Sequence, residues 1–141
     1  KIHGFTMEKM SLFKKVGFQA EYYNSDEYYK RLLFLEASKI YFVNSNFYYR
    51  QDNPNAITKG RKYIHIDVLM TDFLLYQRLC KENFDKSTCK KHLKHIISEY
   101  KKWWFRGVKY HLFLTNNMYF LKTMLKLFVP IQKERIKLLI K

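Results

Sequence analysis

Asp26 and Glu27, adjacent in "NSDEYYKRLLF", are the side chains of this chain best suited to acid–base work. They fall in the first turn of an expected helix, where a carboxylate projects past the helix mouth and can overhang a cleft. From there it can take a proton from a hydroxyl; it can equally do no more than complement the helix dipole. A second constellation is "FYYRQDNPNAIT", residues 47–58. Arg50 and Thr58 stand on either side of an Asn53-Pro54-Asn55 bend, so a guanidinium that binds anions and a hydroxyl donor flank one rigid turn. Arg50 has an alternative partner in Asp52. His92 and His95, three apart on a helix, can present two imidazoles on one face, but lysines surround them and no third ligand lies nearby, so no metal site is expected. Cys80 and Cys89 have no CxxC or Cys/His spacing and are expected to be reduced, structural thiols of a cytosolic protein. Four scattered glycines make no phosphate loop, and no Asp-x-Asp occurs.

The elements that must position these residues change character near residue 60. Before it the pattern predicts strand, helix, helix, strand; after it, only helices. Residues 2–7 read as a strand, and Glu8 to Val16 as a short helix carrying Met10, Leu12, Phe13 and Val16, stopped by Gly17. The next helix lies within "EYYNSDEYYKRLLFLEASK", capped by Asn24 or Ser25, with Leu32, Leu33, Phe34 and Leu35 turned inward. "KIYFVNSNFYYR" follows as one kinked strand or two short ones. From Arg61 to Lys81 apolar residues at Ile64, Val68, Leu69, Phe73, Leu75, Tyr76 and Leu79 predict a long helix with a wide buried face. Ser87 is expected to cap another, striped by Cys89, Leu93, Ile96, Ile97, Tyr100 and Trp104, and Gly107 to end it. Residues 108–128 read as a third helix interrupted by "TNN", and Pro130 as the start of a last basic helix to Lys141. The expected class is therefore α+β, mostly helical.

With 141 residues, 48% hydrophobic and 18% aromatic, the chain can bury a real core and is too apolar for disorder. No apolar stretch approaches the roughly 20 residues that span a bilayer, and no signal peptide is visible. The chain has no initiator methionine and opens on "KIHGFTM", which reads as the inside of a strand, so it is expected to begin within a fold. The net charge of +15 is uneven: residues 86–141 hold 14 Lys/Arg against only Glu99 and Glu134. Such a region suits an anionic surface, either nucleic acid or the inner leaflet of a membrane, or is simply a solvated basic face.

"HGFTMEKMSLFKKVGF", "NSDEYYKRLLFLEASKIYFVNSNFYYR" and "RQDNPNAIT", in this order and spacing, resemble the C-terminal half of a family 2 glycosyltransferase of the GT-A type. Residues 1 to about 60 carry the resemblance. It implies the acceptor-side part of a GT-A catalytic domain over 1–60, with short strands and two helices, and a variable helical extension over 61–141, as bacterial members often append. It implies that Asp26 is the general base toward the acceptor hydroxyl in an inverting transfer. Glu27 is the neighbour to weigh beside it, because "SDE" departs from the commoner "ED". Arg50 and Thr58 would contact phosphate or acceptor at the cleft rim, although Ala56 stands where the family often has serine. His3 and Gly4 would line the cleft, His3 toward the diphosphate and Gly4 where a sugar approaches closely. A divalent metal, Mg or Mn, is implied for a full-length enzyme. The nucleotide-binding half that would hold it is not in these residues, so this chain alone is expected to be inactive.

The second half adds an interfacial pattern: Trp103, Trp104, Phe105 and Tyr110 beside Lys101, Lys102, Arg106 and Lys109, aromatic anchors flanked by cations. Transferases of the resembled type often act on lipid-linked acceptors for cell-surface polysaccharide, which implies a cytoplasmic protein peripheral on the inner face of the membrane. Its expected partners are a nucleotide-sugar donor and a glycan or lipid-linked acceptor, with no nucleic acid. The other class left open is a basic helical module that holds nucleic acid through lysines and stacking aromatics.

Overall fold

The computed structural model of the chain describes residues 7–17, 25–44, 66–113 and 118–140. They form five helices: α1 (Met10–Val16), α2 (Ser25–Glu36), α3 (Asp67–Lys81), α4 (Lys86–Lys109) and α5 (Met118–Ile140). α3 is the hub, in contact with α2, α4 and α5, while α1 packs chiefly on α2. That position explains why α3 buries Leu69, Met70, Phe73, Leu75, Tyr76 and Leu79, more than one stripe can hold. Leu93, Ile96, Tyr100 and Trp103 of α4, with Phe120, Met124, Leu127 and Ile131 of α5, complete the core.

Local chemistry sets the helix ends. Gly17 stops α1 at φ 68°, a left-handed position where a side chain is strained, and its N–H returns to the Phe13 carbonyl at 3.0 Å. α3 and α4 end without glycine, each in a Schellman motif. Asn83 takes φ 52°, with its N–H on Cys80 O at 3.2 Å and that of Phe84 on Leu79 O at 3.0 Å. His111 takes φ 53°, with its N–H on Val108 O at 3.1 Å and that of Leu112 on Gly107 O at 2.8 Å. The α4 N-cap is Asp85, whose carboxylate accepts from the Thr88 backbone N–H at 2.8 Å, two residues before the expected Ser87.

Several expectations are corrected. The described residues are 80% helical with no strand, so the class is all-α rather than α+β with the short strands of a GT-A fold. The part of the "KIYFVNSNFYYR" run that is described has no regular structure through residue 44, and Ile40, Tyr41, Phe42 and Val43 are exposed. β-branched and aromatic residues make a strand only where a ladder partner pairs their backbone, and none is found among the described residues. The strand expected at 2–7 lies outside them except for Met7, which is not in a strand.

Gly107 is an interior residue of α4, and Pro130 an interior residue of α5. Proline there deletes the N–H that would bond Lys126 O, but Lys126 is on an exposed turn where water can serve that carbonyl. In α2 only Leu33 of the Leu-Leu-Phe-Leu run is fully buried, because neighbours about 100° apart cannot share one face.

Ion pairs cross from the first half to the second. Arg31 of α2 pairs with Asp72 of α3, and Arg78 of α3 reaches Glu36 of α2 at 3.2 Å. Glu36 also accepts Lys15 of α1 at 2.7 Å, and Phe13 meets Tyr29 edge-on at 5.3 Å. α2 is thus fastened to both neighbours.

Candidate functional site

The mouth of α2 is the only part of the expected catalytic constellation that falls among the described residues. Ser25 is buried at the first position, Asp26 is exposed and Glu27 half-buried, with both carboxylates in the first turn. Neither an ion pair nor a hydrogen bond engages Asp26 among the described residues. One turn deeper, Tyr29 and Leu33 are buried, and Lys30 pairs with Glu8. The carboxylate therefore stands in solvent on a helix whose inner face is fixed. An exposed carboxylate with a free lone pair can accept a proton from a hydroxyl brought to it. His3, Gly4, Arg50 and Thr58 lie outside the described residues, as does the Asn53-Pro54-Asn55 bend.

The histidine pair serves as a strut. The His92 and His95 rings stack with centroids 6.5 Å apart, and His92 Nε2 lies 3.0 Å from the Asp72 carbonyl. A carbonyl only accepts, so Nε2 carries the hydrogen and donates, tying α4 to α3. No group of three His, Cys, Asp or Glu that could hold a metal occurs among the described residues.

Some polar groups are paired between helices. Asp67, buried at the start of α3, accepts from the Tyr119 hydroxyl of α5. The Tyr76 hydroxyl donates to Glu134 Oε2 at 2.9 Å; burial first, and then contact with the Cys80 thiol and Glu134, raise the tyrosine pKa. Cys80 and Cys89, unrelated by any motif, face each other across the α3–α4 turn; burial first, and then Cys80, push the Cys89 thiol pKa up.

At the end of α4 the interfacial candidates divide. Trp103 is 9% exposed and packs toward Phe120 at 6.3 Å, so it belongs to the core, whereas Trp104 is 47% exposed. The expected buried stripe included Trp104 and not Trp103, since adjacent helical positions differ by a rotation that only the packing partner resolves. Lys101, Lys102, Arg106 and Lys109 are all exposed. Lys102 pairs with Glu99 at 2.6 Å, and the Arg106 guanidinium lies 4.9 Å from the Trp103 ring centroid. Phe105, Arg106, Val108, Lys109 and Tyr110 line an open hollow of about 490 Å³.

The outward face of α5 was missed. Met118, Leu125, Val129 and Ile136 are all exposed, at spacings of seven, four and seven. The signal was in the sequence, but splitting the segment at Pro130 broke the register that makes them one line. No described helix is long and apolar enough to cross a membrane. No protein family, curated protein or solved structure matches this chain.

Proposed function

We propose that this chain is the acceptor-side part of an inverting, sugar-nucleotide-dependent glycosyltransferase that builds cell-surface polysaccharide or extends a lipid-linked acceptor. The observation that carries the reading is Asp26: an exposed carboxylate in the first turn of α2, on a helix fixed by ion pairs to α1 and α3. The order of the three sequence motifs supports it.

In this reading Asp26 removes the proton from an acceptor hydroxyl as its oxygen attacks the anomeric carbon. The bond to the nucleoside diphosphate breaks on the opposite face, its electrons leave with the diphosphate, and the configuration inverts. The place of Asp26 in the first turn also lets its carboxylate complement the dipole of α2. Glu27 is the neighbouring acid, and Arg50, Thr58, His3 and Gly4 are proposed to contact phosphate or acceptor. A divalent ion would offset the charge developing on the diphosphate; among the described residues no group of three His, Cys, Asp or Glu could hold it. A peripheral position on the inner face of the membrane is part of this reading, supported by the exposed Trp104, Phe105 and Tyr110 beside Lys101, Arg106 and Lys109.

The test is Asp26→Asn in the enzyme that contains this chain. Transfer to the acceptor should fall by about three orders of magnitude with donor affinity unchanged, as loss of a general base requires. Near-normal turnover of Asp26→Asn with its acceptor would remove the residue from the mechanism.

A further inference from the structure

The inward face of α5 is spent on the core through Phe120, Met124, Leu127 and Ile131. On the opposite side, Met118, Leu125, Val129 and Ile136 are 56%, 59%, 68% and 54% exposed. At about 100° per residue these four lie within roughly 40° of one another, a line about 27 Å long at 1.5 Å per residue. Phe128, 47% exposed, widens it on one side. Along the other edge run Lys122, Lys126 and Lys133, all exposed and in no direct ion pair among the described residues, although the charge of Lys133 helps to lower the Glu134 pKa. The only acid between Met118 and Lys137 is Glu134, which accepts from Tyr76 at 2.9 Å and from Lys137 at 2.6 Å.

We propose that this outer face of α5 is a docking surface for an anionic phospholipid bilayer, with the aliphatic line sunk among the acyl chains' upper methylenes and the lysines on the headgroups. Charge selects the occupant. A second copy of the chain would bring the same lysines and no exposed acid on this face to meet them. Nucleic acid would meet the lysines but leave the aliphatic line without a role, because Met, Leu, Val and Ile offer no ring for a base to stack on. An anionic bilayer satisfies both, since it pairs a negative surface with an apolar layer just beneath it. The α4 patch adjoins the same end of α5: Trp104 lies 5.1 Å from Phe113, which lies 5.2 Å from Phe120. The inference deepens the membrane contact proposed there and rests on it in part, but does not depend on Asp26.

The test is co-sedimentation of the chain with vesicles of phosphatidylglycerol and phosphatidylcholine, compared with pure phosphatidylcholine. Leu125→Ser/Val129→Ser should cut binding to the anionic vesicles more than tenfold. Lys122→Gln/Lys126→Gln/Lys133→Gln should cut it about a hundredfold, at about fivefold per lost charge. These are surface positions, and circular dichroism verifies that the variants fold. A quadruple Glu variant at Lys101, Lys102, Arg106 and Lys109 separates the two patches. If it abolishes binding while the α5 variants bind as the parent does, the α5 proposal falls and the α4 contact stands. If the parent shows no preference for anionic vesicles, both fall. If the serine variant instead dissolves a dimer seen by light scattering, or if nucleic acid binds and the serine variant leaves that binding intact while vesicles are ignored, the face belongs to another partner and the proposal is overturned.

Discussion

Phe113 lays its ring against the bare Cα of Gly107: a Cβ built there would stand 2.4 Å from Phe113 Cε2 and 2.9 Å from Phe120 Cε1. The glycine is kept for the closeness of the α4–α5 corner, and not for helix termination, which His111 performs. Gly107→Ala gains about 1 kcal/mol of helix propensity but forces apart rings of which Phe120 is fully buried. Overpacking of that kind costs about 1–3 kcal/mol, so the net expectation is a loss of up to about 2 kcal/mol, read as a lower urea midpoint at unchanged slope. A stabilised variant would show that the corner relaxes freely.

The pair Arg31–Asp72 joins the segment before residue 60 to the one after it. Asp72 keeps only 9% of its side chain exposed, while Arg31 keeps 38%. Arg31→Met strands a buried carboxylate; loss of one partner of a fully buried pair costs about 3–5 kcal/mol, and screening at the arginine lowers this to about 2 kcal/mol. Asp72→Asn should relieve much of that cost, so the double variant is expected to be more stable than the two single losses added together. Strict additivity in a double-mutant cycle would argue that the two side chains do not meet.

The two thiols should differ in reactivity. Cys80 is exposed, whereas Cys89 is buried, its pKa raised by burial and its Sγ 3.9 Å from the Phe84 carbonyl. At neutral pH iodoacetamide is expected to alkylate Cys80 at least about tenfold faster than Cys89, by peptide mass mapping of a time course. Equal rates would mean that the α3–α4 turn opens readily.

Stability should fall on both sides of neutrality. Glu36 is held below its usual 4.5, first by the Lys15 hydrogen bond, and Asp85 below its usual value by the Thr88 backbone N–H. Burial works against Glu134, yet Lys137 and Tyr76 lower it. A depressed carboxylate stabilises the fold above its unfolded value, and that contribution is lost as pH falls through the folded value, so stability is expected to decline below about pH 4.5. Tyr29, Tyr76 and Tyr100 are raised above 10.0, in each case mainly by burial. A raised tyrosine contributes fully below its unfolded value, and the contribution is lost as pH climbs past about 10. Ellipticity at 222 nm should hold between these limits, and ultraviolet titration should find a late-ionising class of tyrosines that disappears in denaturant. A fold intact well above pH 11 with those tyrosines ionised would contradict their burial.

By itself the sequence determined the things that local chemistry decides. The apolar periodicity of α3, the stop at Gly17, the acidic first turn that leaves Asp26 outward, and the crowding of positive charge after residue 86 were all legible, because each rests on residues within a few positions of one another. What only the tertiary structure decided is where neighbours matter. It chose Trp103 over Trp104 for the core, made Gly107 a contact and not a cap, and carried α5 through Pro130. It also left Ile40 to Val43 without a strand partner among the described residues and brought Cys80 to Cys89. In each case the local sequence permits two outcomes of similar free energy, and packing against a helix distant in sequence, whose identity no local pattern encodes, selects between them.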